Sequence, residues 1–318
     1  MTRRDYRPVA WDAALEADLR ELLRLAVRED LESYHDWTTG LLVDPDARAR
    51  ARVAARADGV VAGLRGAALV AAEFDERIRW TSLVDDGARV PRGAPLAEIE
   101  GPARSLLVAE RPLLNLLGRL SGIATLTRRY VDAVAGTAAR IYDTRKTMLG
   151  WRRLEKYAVR MGGGHNHRLG LYDGILIKDN HLAQGRAVGG EHTFTPAEAV
   201  RRAKAFLVEQ RAANPREQAF WDALLVEIEV DRLEQLEAVL PERPDVVLLD
   251  NMPPELLRRA VERRDEVAPE VELEASGGIG FATIRSVAET GVERISVGGL
   301  THSAPWWDVG LDWSERIG

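Results

Sequence analysis

Polar and charged residues follow six short β-prone segments in the second half of the chain, at the point where each segment ends. Cations and paired glycines bind anionic groups, and acids bind hydroxyl groups or metal ions, so these positions could carry chemistry. In α/β barrels the carboxyl ends of the strands form the active-site face. Charged residues flank most strands, but six such endings in succession favour a functional site on one predicted face. The segments are residues 139–142, 174–177, 224–228, 246–249, 271–274 and 294–297.

Seven cations at or near these endings form one constellation. Gly162–Gly164 precede two imidazoles and a guanidinium, and consecutive glycines let a backbone approach a ligand closely. His-x-His spacing could also indicate a transition metal, but cysteine is absent and the neighbouring cations would repel a metal ion. Because the net charge of the chain is -6, a local group of cations favours a polyanionic substrate. The cations are Arg111, Arg145, Lys146, His165, His167, Arg168 and Lys178.

Two glycine pairs and two acids complete the predicted face. Gly277–Gly278 and Gly298–Gly299 come directly after the last two β-prone segments, where many phosphate-binding barrels hold their phosphate. Backbone N–H groups in such turns can bind a phosphate. Glu229 and Asp250 also stand at segment ends, where a ribose hydroxyl or a phosphate-bound Mg²⁺ suits them. In the empty enzyme they could instead pair with the neighbouring cations.

The elements that must position these residues alternate between strand and helix. Helical patterns lie between most of the β-prone segments, which predicts a parallel α/β sheet. Residues 11–32 and 109–135 have the periodicity of amphipathic helices. Between them, residues 58–108 alternate short apolar runs with turn residues, which predicts small antiparallel strands. Residues 189–222 carry extra polar side chains, so we expect an extended surface helix and loop there.

The composition excludes several classes of protein. A chain of 318 residues can bury a barrel-sized core and a smaller companion domain. The absence of cysteine removes disulfides and cysteine nucleophiles, and it fits a reducing compartment. No apolar segment follows the first arginines, and no stretch approaches the length of a membrane span. We therefore expect a cytoplasmic protein that binds no membrane and, with 44 basic against 50 acidic residues, no nucleic acid.

Seven motifs, in consistent order over about residues 100–310, resemble those of the quinolinate phosphoribosyltransferases, which are also called nicotinate-nucleotide pyrophosphorylases (carboxylating). The N-terminal third matches more loosely, mainly through Arg28–Leu31, Asp58–Gly59 and Ala62–Gly63. The seven motifs are Glu110–Asn115, Arg119–Thr125, Asp143–Thr147, Gly162–Arg168, Ile177–His181, Leu248–Asn251 and Glu274–Ile279.

The resemblance implies a fold, an assembly and a reaction. An N-terminal α/β sandwich domain, residues 1–118, would precede an incomplete TIM-like α/β barrel, residues 119–302, and the tail, residues 303–318, would pack on the sandwich. A homodimer would form in which the N-terminal region of one subunit completes the site of its partner. The reaction would convert quinolinate and phosphoribosyl pyrophosphate into nicotinate mononucleotide, pyrophosphate and CO₂, with Mg²⁺ as cofactor.

Motif positions assign each site residue an expected role through the same resemblance. Lys146, Lys178, Glu229 and Asp250 would carry the catalysis, with Mg²⁺ near the two acids through water and substrate. The residues that would hold the quinolinate carboxylates are Arg111, Arg145, His167, Arg168 and Lys178. The residues that would bind phosphoribosyl pyrophosphate are Lys146, Glu229, Asp250, Ser276, Gly277, Gly278, Gly298, Gly299 and His302.

The chain also departs from the family pattern. Met148–Leu149 follows the Asp-Thr-Arg-Lys-Thr motif where the family has Thr-Pro, and this leaves open quinolinate or a related acid as the substrate. Gly118 stands where the family tends to have Gln, and Glu32–Trp37 replaces a turn that usually contains glycine. Residues 189–222 are longer than the family pattern leads us to expect.

Three other functions are compatible with parts of the sequence. A sister phosphoribosyltransferase would act on nicotinate or another aromatic acid. A Schiff-base aldolase would use Lys178 as its amine, although the flanking cations favour anion binding. A non-catalytic barrel would bind a phosphorylated metabolite, but it would not need both an acidic edge and a cationic pocket.

Overall fold

The computed structural model describes residues 4–185 and 193–314. The described chain forms two compact units, each assembled from separate parts of the sequence. The sandwich unit comprises residues 9–129, 146–164 and 299–314. The barrel unit comprises residues 4–8, 130–145, 165–185 and 193–298.

Strands and helices cover most of the described residues. The strands are β1 (Arg48–Ala55), β2 (Gly59–Val60), β3 (Arg79–Ser82), β4 (Arg89–Val90), β5 (Pro95–Pro102), β6 (Arg140–Tyr142), β7 (Ile175–Ile177), β8 (Val226–Val230), β9 (Val246–Asp250), β10 (Glu272–Ser276), β11 (Arg294–Ser296) and β12 (Val309–Trp313). The helices are α1 (Ala13–Leu31), α2 (Trp37–Leu42), α3 (Leu64–Phe74), α4 (Ala103–Ala133), α5 (Arg152–Met161), α6 (Asp179–Gln184), α7 (Pro196–Ala213), α8 (Gln218–Ala223), α9 (Leu233–Val239), α10 (Pro254–Val267), α11 (Ile284–Ala288) and α12 (Gly299–His302).

The sandwich unit contains an antiparallel sheet with the strand order β12-β1-β5-β3. Strand β1 alternates exposed arginines with buried small residues, so one face of the sheet is buried and the other faces water. On the exposed face, Arg50 and Arg52 of β1 pair with Glu100 and Glu98 of β5. The tail, which the resemblance places on the sandwich, contributes β12 to this sheet beside β1.

Two elements of the sandwich unit differ from the sequence prediction. Residues 58–108 contain helix α3 in addition to short strands, because its Ala- and Leu-rich segment consists largely of strong helix formers. Helix α4 begins at Ala103, six residues before the predicted start at 109. It then runs unbroken past residues 118 and 119, where the resemblance puts a domain boundary.

The barrel unit contains a parallel sheet with the strand order β6-β11-β10-β9-β8-β7. Each of its six strands lies within two residues of a segment predicted from the sequence. An isolated parallel bridge joins His165 to Tyr142 and extends the β6 edge by one short stretch of backbone. The predicted fold class, an α/β barrel-like unit with an N-terminal sandwich, is confirmed.

The parallel sheet has one polar face and one apolar face. Paired residues on neighbouring strands point the same way, and side chains alternate along each strand. The register pairs Glu229 with Leu248, Leu248 with Glu274, and Asp250 with Ser276, so the acids share one face. The buried side chains of the opposite face are Ile228, Val230, Val247, Leu249, Leu273, Ala275 and Ile295.

The described residues of the segment predicted as a surface helix and loop contain α7, a short 3₁₀ turn at Pro215–Glu217 and most of α8. Helix α7 starts with a capping box between Thr195 and Glu198, which satisfies backbone groups at its first turn. Val200, Ala203 and Leu207 are buried and the other residues of α7 are not, so α7 packs against its own unit through one side, as a surface helix does. Residues 189–192 of the predicted segment lie outside the described residues. None of the described helices is long and apolar enough to cross a membrane.

Candidate active site

Lys178 and Glu229 meet at the carboxyl edge of the parallel sheet. Ile177 and Ile228 are partners in the register of β7 and β8, so the residues that follow them lie side by side. The ammonium group of Lys178 forms an ion pair and hydrogen bond with the Glu229 carboxylate. His181 helps to hold the Lys178 backbone, because its Nδ1 accepts the Lys178 N–H at 2.9 Å. The pairing of acid with cation, which the sequence left open for the empty enzyme, is therefore present here.

Asp250, Asn251, Ser276 and Gly277 form a second group at the same edge. Asp250 and Ser276 are partners across β9 and β10, and the Asn251 N–H donates to the Ser276 carbonyl at 2.9 Å. Gly277 and Gly278 both have positive φ, at 92° and 61°. A Cβ on Gly277 would collide with the Asn251 side chain, whereas Gly278 faces open space. This turn therefore requires glycine and leaves its backbone accessible.

Asp143 organises the segment that carries His167 and Arg168. Its fully buried carboxylate accepts hydrogen bonds from Asn166 Nδ2 at 2.6 Å and from the His167 N–H at 2.9 Å. The backbone of His165 is also tied to β6, through its N–H to the Ile141 carbonyl at 2.7 Å. The Asp of the Asp-Thr-Arg-Lys-Thr motif thus fixes the Asn-His-Arg stretch beside β6.

The three glycines before His165 pack against protein, which corrects the expectation that they approach a ligand. They belong to the sandwich unit and follow α5. A Cβ on Gly164 would lie 2.8 Å from side-chain atoms of Thr127 and Val159, and one on Gly163 would lie 2.8 Å from Arg128. The glycines are needed for this close packing against α4.

His167 lies inside the barrel unit beside two fully buried carboxyl groups. Its Nε2 is 3.1 Å from an oxygen of Glu227 and 3.6 Å from an oxygen of Glu274. Burial raises the pKa of Glu227, but the neighbouring His167 and a hydrogen bond from Tyr6 outweigh it and leave that pKa below its usual value. Burial and the adjacent Glu227 charge raise the pKa of Glu274 to about 7. The pKa of Glu274 therefore lies above that of Glu227.

A network of ion pairs lies on the same polar face at the amino ends of the strands. Arg294, which is fully buried, pairs with Glu272 and with Asp5 at 3.2 Å. Arg140 pairs with the same two acids, at 2.7 Å to Glu272 and 3.2 Å to Asp5. Burial raises the pKa of Asp5, but a hydrogen bond from His165 and the Arg294 charge outweigh burial and lower it to about 2.

Four of the predicted site residues belong to the sandwich unit. Arg111 is exposed on α4, and Lys146 is exposed directly after the barrel unit's Arg145. Gly299 and His302 are in α12, so the expected glycine turn after β11 leads into a short helix. Within this unit the Thr301 hydroxyl donates to the Lys146 carbonyl at 2.7 Å, which ties these two segments together.

A buried ion pair supports both segments. Arg119, on α4, pairs with Glu155 on α5 and donates to the Thr301 carbonyl at 2.6 Å. Glu155 in turn accepts the Met148 N–H at 3.2 Å. The Met148 and Leu149 side chains are exposed, so this departure from the family pattern leaves the packing of the loop intact.

The buried acids Glu227, Glu272 and Glu274 were not among the predicted site residues, and neither was Arg294, which pairs with Glu272. The signal was present in the strands themselves. Val226–Val230 alternates apolar residues with glutamate, and Glu272–Ser276 does the same. Strands buried on both faces of a parallel sheet are usually continuous apolar runs, so alternation there indicates a polar interior face.

The donor atoms at the carboxyl edge suit a hard cation. Glu229 and Asp250 lie on the same face of adjacent strands, and both supply carboxylate oxygens. Mg²⁺ prefers such oxygens, keeps several waters and is usually bound by one or two carboxylates with substrate phosphates. The residues present therefore fit the expected Mg²⁺.

A parallel α/β sheet with acids and cations along its carboxyl edge is the framework of a barrel enzyme that acts on an anionic substrate. Residues 36–121 match the model of the quinolinate phosphoribosyl transferase N-terminal domain, and residues 123–312 match that of its C-terminal domain. The chain belongs to the quinolinate phosphoribosyltransferase family.

Individual relatives cover nearly the whole chain. A nicotinate-nucleotide pyrophosphorylase [carboxylating] from Mycobacterium leprae is 46% identical over 295 residues, which are 92% of this chain and 96% of the relative. A probable enzyme of the same name from Bacillus subtilis is 39% identical and covers 82% of both chains. The solved structure of the nicotinate-nucleotide pyrophosphorylase from Francisella tularensis is 33% identical, has a TM-score of 0.84 and covers 98% of this chain and 100% of its own.

Proposed function

We propose that this protein transfers the phosphoribosyl group of phosphoribosyl pyrophosphate to quinolinate with loss of CO₂. The products are nicotinate mononucleotide and pyrophosphate, and the reaction belongs to NAD biosynthesis. Family membership supports the reaction class, a pentosyl transfer. The observation in the molecule that supports it best is the shared carboxyl edge of Lys178, Glu229, Asp250 and the Ser276–Gly278 turn.

The proposed roles follow the chemistry of each side chain. Cations hold the two carboxylates of quinolinate, and we assign Arg111, Arg145, His167, Arg168 and Lys178 to this task. Phosphoribosyl pyrophosphate offers ribose hydroxyls and phosphates to the remaining polar groups. We assign to it Lys146, Glu229, Asp250, Ser276, Gly277, Gly278, Gly298, Gly299 and His302.

Departure of pyrophosphate makes the ribose carbon oxocarbenium-like, and negative charge grows on the leaving group. Mg²⁺ supplies electrostatic stabilisation of that charge when it is bound with the substrate. Lys146 contributes a further positive charge. Glu229 and Asp250 would bind the ribose hydroxyls and, through water and substrate, the Mg²⁺. When a quinolinate carboxylate replaces Glu229 as the partner of Lys178, the Glu229 oxygens become free to bind the ribose.

Loss of CO₂ from the 2-position of the ring leaves an electron pair next to the ring nitrogen. Once that nitrogen carries the ribose it is cationic and stabilises this electron pair, and a proton taken up from water then forms the C2–H bond of nicotinate mononucleotide. The chain then needs no nucleophile. Its residues bind the carboxylates, orient the ring and keep the leaving pyrophosphate neutralised.

The proposal includes a cytoplasmic homodimer whose active sites are shared between subunits. Two features of the sandwich unit support it. Arg111 is exposed in the single subunit although it is assigned to bind a quinolinate carboxylate. Helix α2 and the residues around it expose large apolar side chains, with Trp37 at 65%, Leu41 at 83% and Leu42 at 72% exposure, and such patches mark interaction surfaces.

The purified protein tests the reaction directly. Nicotinate mononucleotide is expected to form from quinolinate and phosphoribosyl pyrophosphate, and kcat/KM for quinolinate should exceed that for nicotinate by roughly 10⁴-fold, because a lost carboxylate leaves desolvated cations unpaired. Arg168→Ala should reduce turnover of quinolinate far more than the control Arg201→Ala, which removes an exposed cation paired with Glu242. Equal use of nicotinate would instead identify a sister phosphoribosyltransferase.

A further inference from the structure

The residues before α1 enter the polar interior of the barrel unit. Arg4 binds the Asp245 carboxylate at 2.7 Å and the Leu224 carbonyl at 2.6 Å. The next residue, Asp5, accepts the Tyr142 hydroxyl at 2.9 Å and pairs with the buried Arg294. These partners come from several strands or the residues next to them, so this short segment is anchored at the amino ends of the sheet.

Tyr6 occupies a fitted position inside that interior. Its ring stacks on His167 with 4.6 Å between centroids and an angle of 27° between planes. Gly174 approaches from another side with φ of 150°, and a Cβ there would lie 2.8 Å from the Tyr6 ring. The Arg294 guanidinium lies 5.9 Å from the ring centroid. Only 5% of Tyr6 is exposed, so its ring has little freedom to move.

A chain of hydrogen bonds leads from Tyr6 to the backbone of Arg168. The Tyr6 hydroxyl donates to one oxygen of Glu227 at 2.6 Å, and His167 Nε2 lies 3.1 Å from that oxygen and 3.3 Å from the other. On the far side of the imidazole, His167 Nδ1 accepts the Arg168 N–H at 2.8 Å. Because Nδ1 is an acceptor, the proton of the neutral ring is assigned to Nε2. Burial raises the pKa of Tyr6 well above its usual value, so the hydroxyl remains a donor.

We propose that Tyr6, acting through Glu227, is a positioning residue for the quinolinate site. It holds the His167 ring in one orientation and one tautomer, and His167 in turn fixes the backbone at Arg168. The inference rests on the proposed function, in which Arg168 binds a substrate carboxylate. Beside the carboxylate-binding role assigned to it above, His167 links the buried Glu227 to Arg168, since one ring nitrogen contacts Glu227 and the other accepts the Arg168 N–H.

Tyr6→Phe tests the link, because it removes one hydroxyl and keeps the stacked ring. Supporting groups of this kind typically change activity by about 10- to 100-fold, so KM for quinolinate should rise at least tenfold while KM for phosphoribosyl pyrophosphate changes less than threefold. Tyr142→Phe is the matched control. It removes from β6 a buried hydroxyl that donates to Asp5, the residue before Tyr6, and keeps the Tyr6, Glu227 and His167 contacts. It should alter neither constant more than threefold.

Nitrogen NMR of the ¹⁵N-histidine-labelled protein reads the His167 ring without activity. The His167 signals, assigned by their loss in His167→Asn, should show the Nε2–H tautomer in the wild type. They should shift in Tyr6→Phe and stay unchanged in Tyr142→Phe. A wild-type ring with its proton on Nδ1, or equal spectra and equal KM values for the two variants, would overturn the inference. An absence of quinolinate turnover in the wild type would refute the proposed function and leave the ring measurement standing.

Discussion

At the scale of single residues, the barrel unit is unusual in burying acids on the inner face of its sheet. Glu227 and Glu274 are both fully buried, and each has an oxygen near the same imidazole nitrogen of His167, at 3.1 Å and 3.6 Å. Glu227 has Tyr6 and His167 as partners, whereas neither oxygen of Glu274 has a hydrogen-bond partner of normal geometry among the described residues. A buried carboxyl without partners is stable only in its protonated form, which is why the pKa of Glu274 is raised.

This difference predicts how stability depends on pH. The native state keeps a proton on Glu274 up to about pH 7, whereas the unfolded chain releases it near pH 4.5. The free energy of unfolding should therefore fall as pH rises through this window, by up to about 3 kcal/mol. Glu274→Gln, which mimics the protonated form, is expected to remove this loss and to be more stable than the wild type at pH 8, as measured by urea unfolding at pH 5.5 and pH 8.

The matched control is Glu272→Gln, two residues earlier on the same strand and face. Glu272 pairs with Arg294 and Arg140, so its neutral analogue leaves a buried guanidinium without its main partner. That variant should lose roughly 3–5 kcal/mol at pH 8. If Glu274→Gln also destabilised the protein at pH 8, the native state would stabilise the ionised carboxylate, which contradicts a raised pKa for Glu274.

At the scale of elements, the sandwich unit ties two loop segments that carry proposed ligands of phosphoribosyl pyrophosphate. The Thr301 hydroxyl on α12 donates to the Lys146 carbonyl, and Arg119 on α4 holds the carbonyl of Thr301. Each contact is a single hydrogen bond. Together they set the position of Lys146 relative to the short helix that ends at His302.

Thr301→Val removes the first of these contacts and keeps the side-chain volume. KM for phosphoribosyl pyrophosphate should rise several-fold, because Lys146 loses its restraint, and the protein should lose about 1 kcal/mol of stability. Steady-state kinetics and urea unfolding measure both. Thr290→Val is a suitable control, since its buried hydroxyl donates to the Val287 carbonyl in the barrel unit. Thr290→Val should lower stability by a similar amount and leave KM unchanged. Equal effects of the two variants on KM would show that the Thr301 hydroxyl does not restrain Lys146.

The end of helix α7 offers a second prediction at this scale. Residues 212–217 follow the part of α7 that buries Val200, Ala203 and Leu207, and most of them are exposed. Replacing them with a shorter glycine-serine linker should leave turnover within a few-fold, as measured by nicotinate mononucleotide formation. If turnover fell by several orders of magnitude in a variant that unfolds at the same urea concentration as the wild type, this segment would have to reach the active site.

At the scale of the whole molecule, the proposed shared site is the property with the greatest consequence for activity. Arg111 belongs to the sandwich unit and Lys178 to the barrel unit, and each is assigned to the same substrate. In a dimer with crossed sites, one site of a mixed dimer would contain both substitutions and the other neither. A mixture of Arg111→Ala and Lys178→Ala proteins should therefore recover up to about a quarter of wild-type activity after subunit exchange.

Labelled subunits can establish exchange independently of activity. As a control, each variant alone should remain inactive after the same exchange treatment. Demonstrated exchange without recovered activity would place both residues in a site formed by one subunit.

Sequence alone determined the parallel sheet and the residues at its carboxyl edge. The six β-prone segments are local patterns, and residues that directly follow parallel strands must lie along one edge, so Lys178, Glu229 and Asp250 could be placed together before any coordinates. Alternation of glutamate with apolar residues in β8 and β10 also carried the information for a polar interior, although it was not used in the prediction.

Tertiary structure decided which groups those residues meet. Sequence spacing does not indicate that Tyr6 would stack on His167, because 161 positions separate them and only the folded sheet brings the first residues to its amino ends. It also does not show that Gly162–Gly164 face helix α4, or that Glu274 lacks the partners that Glu227 has. The physical reason is common to all three: burial and hydrogen bonding depend on long-range packing, whereas propensity and periodicity report only neighbours along the chain.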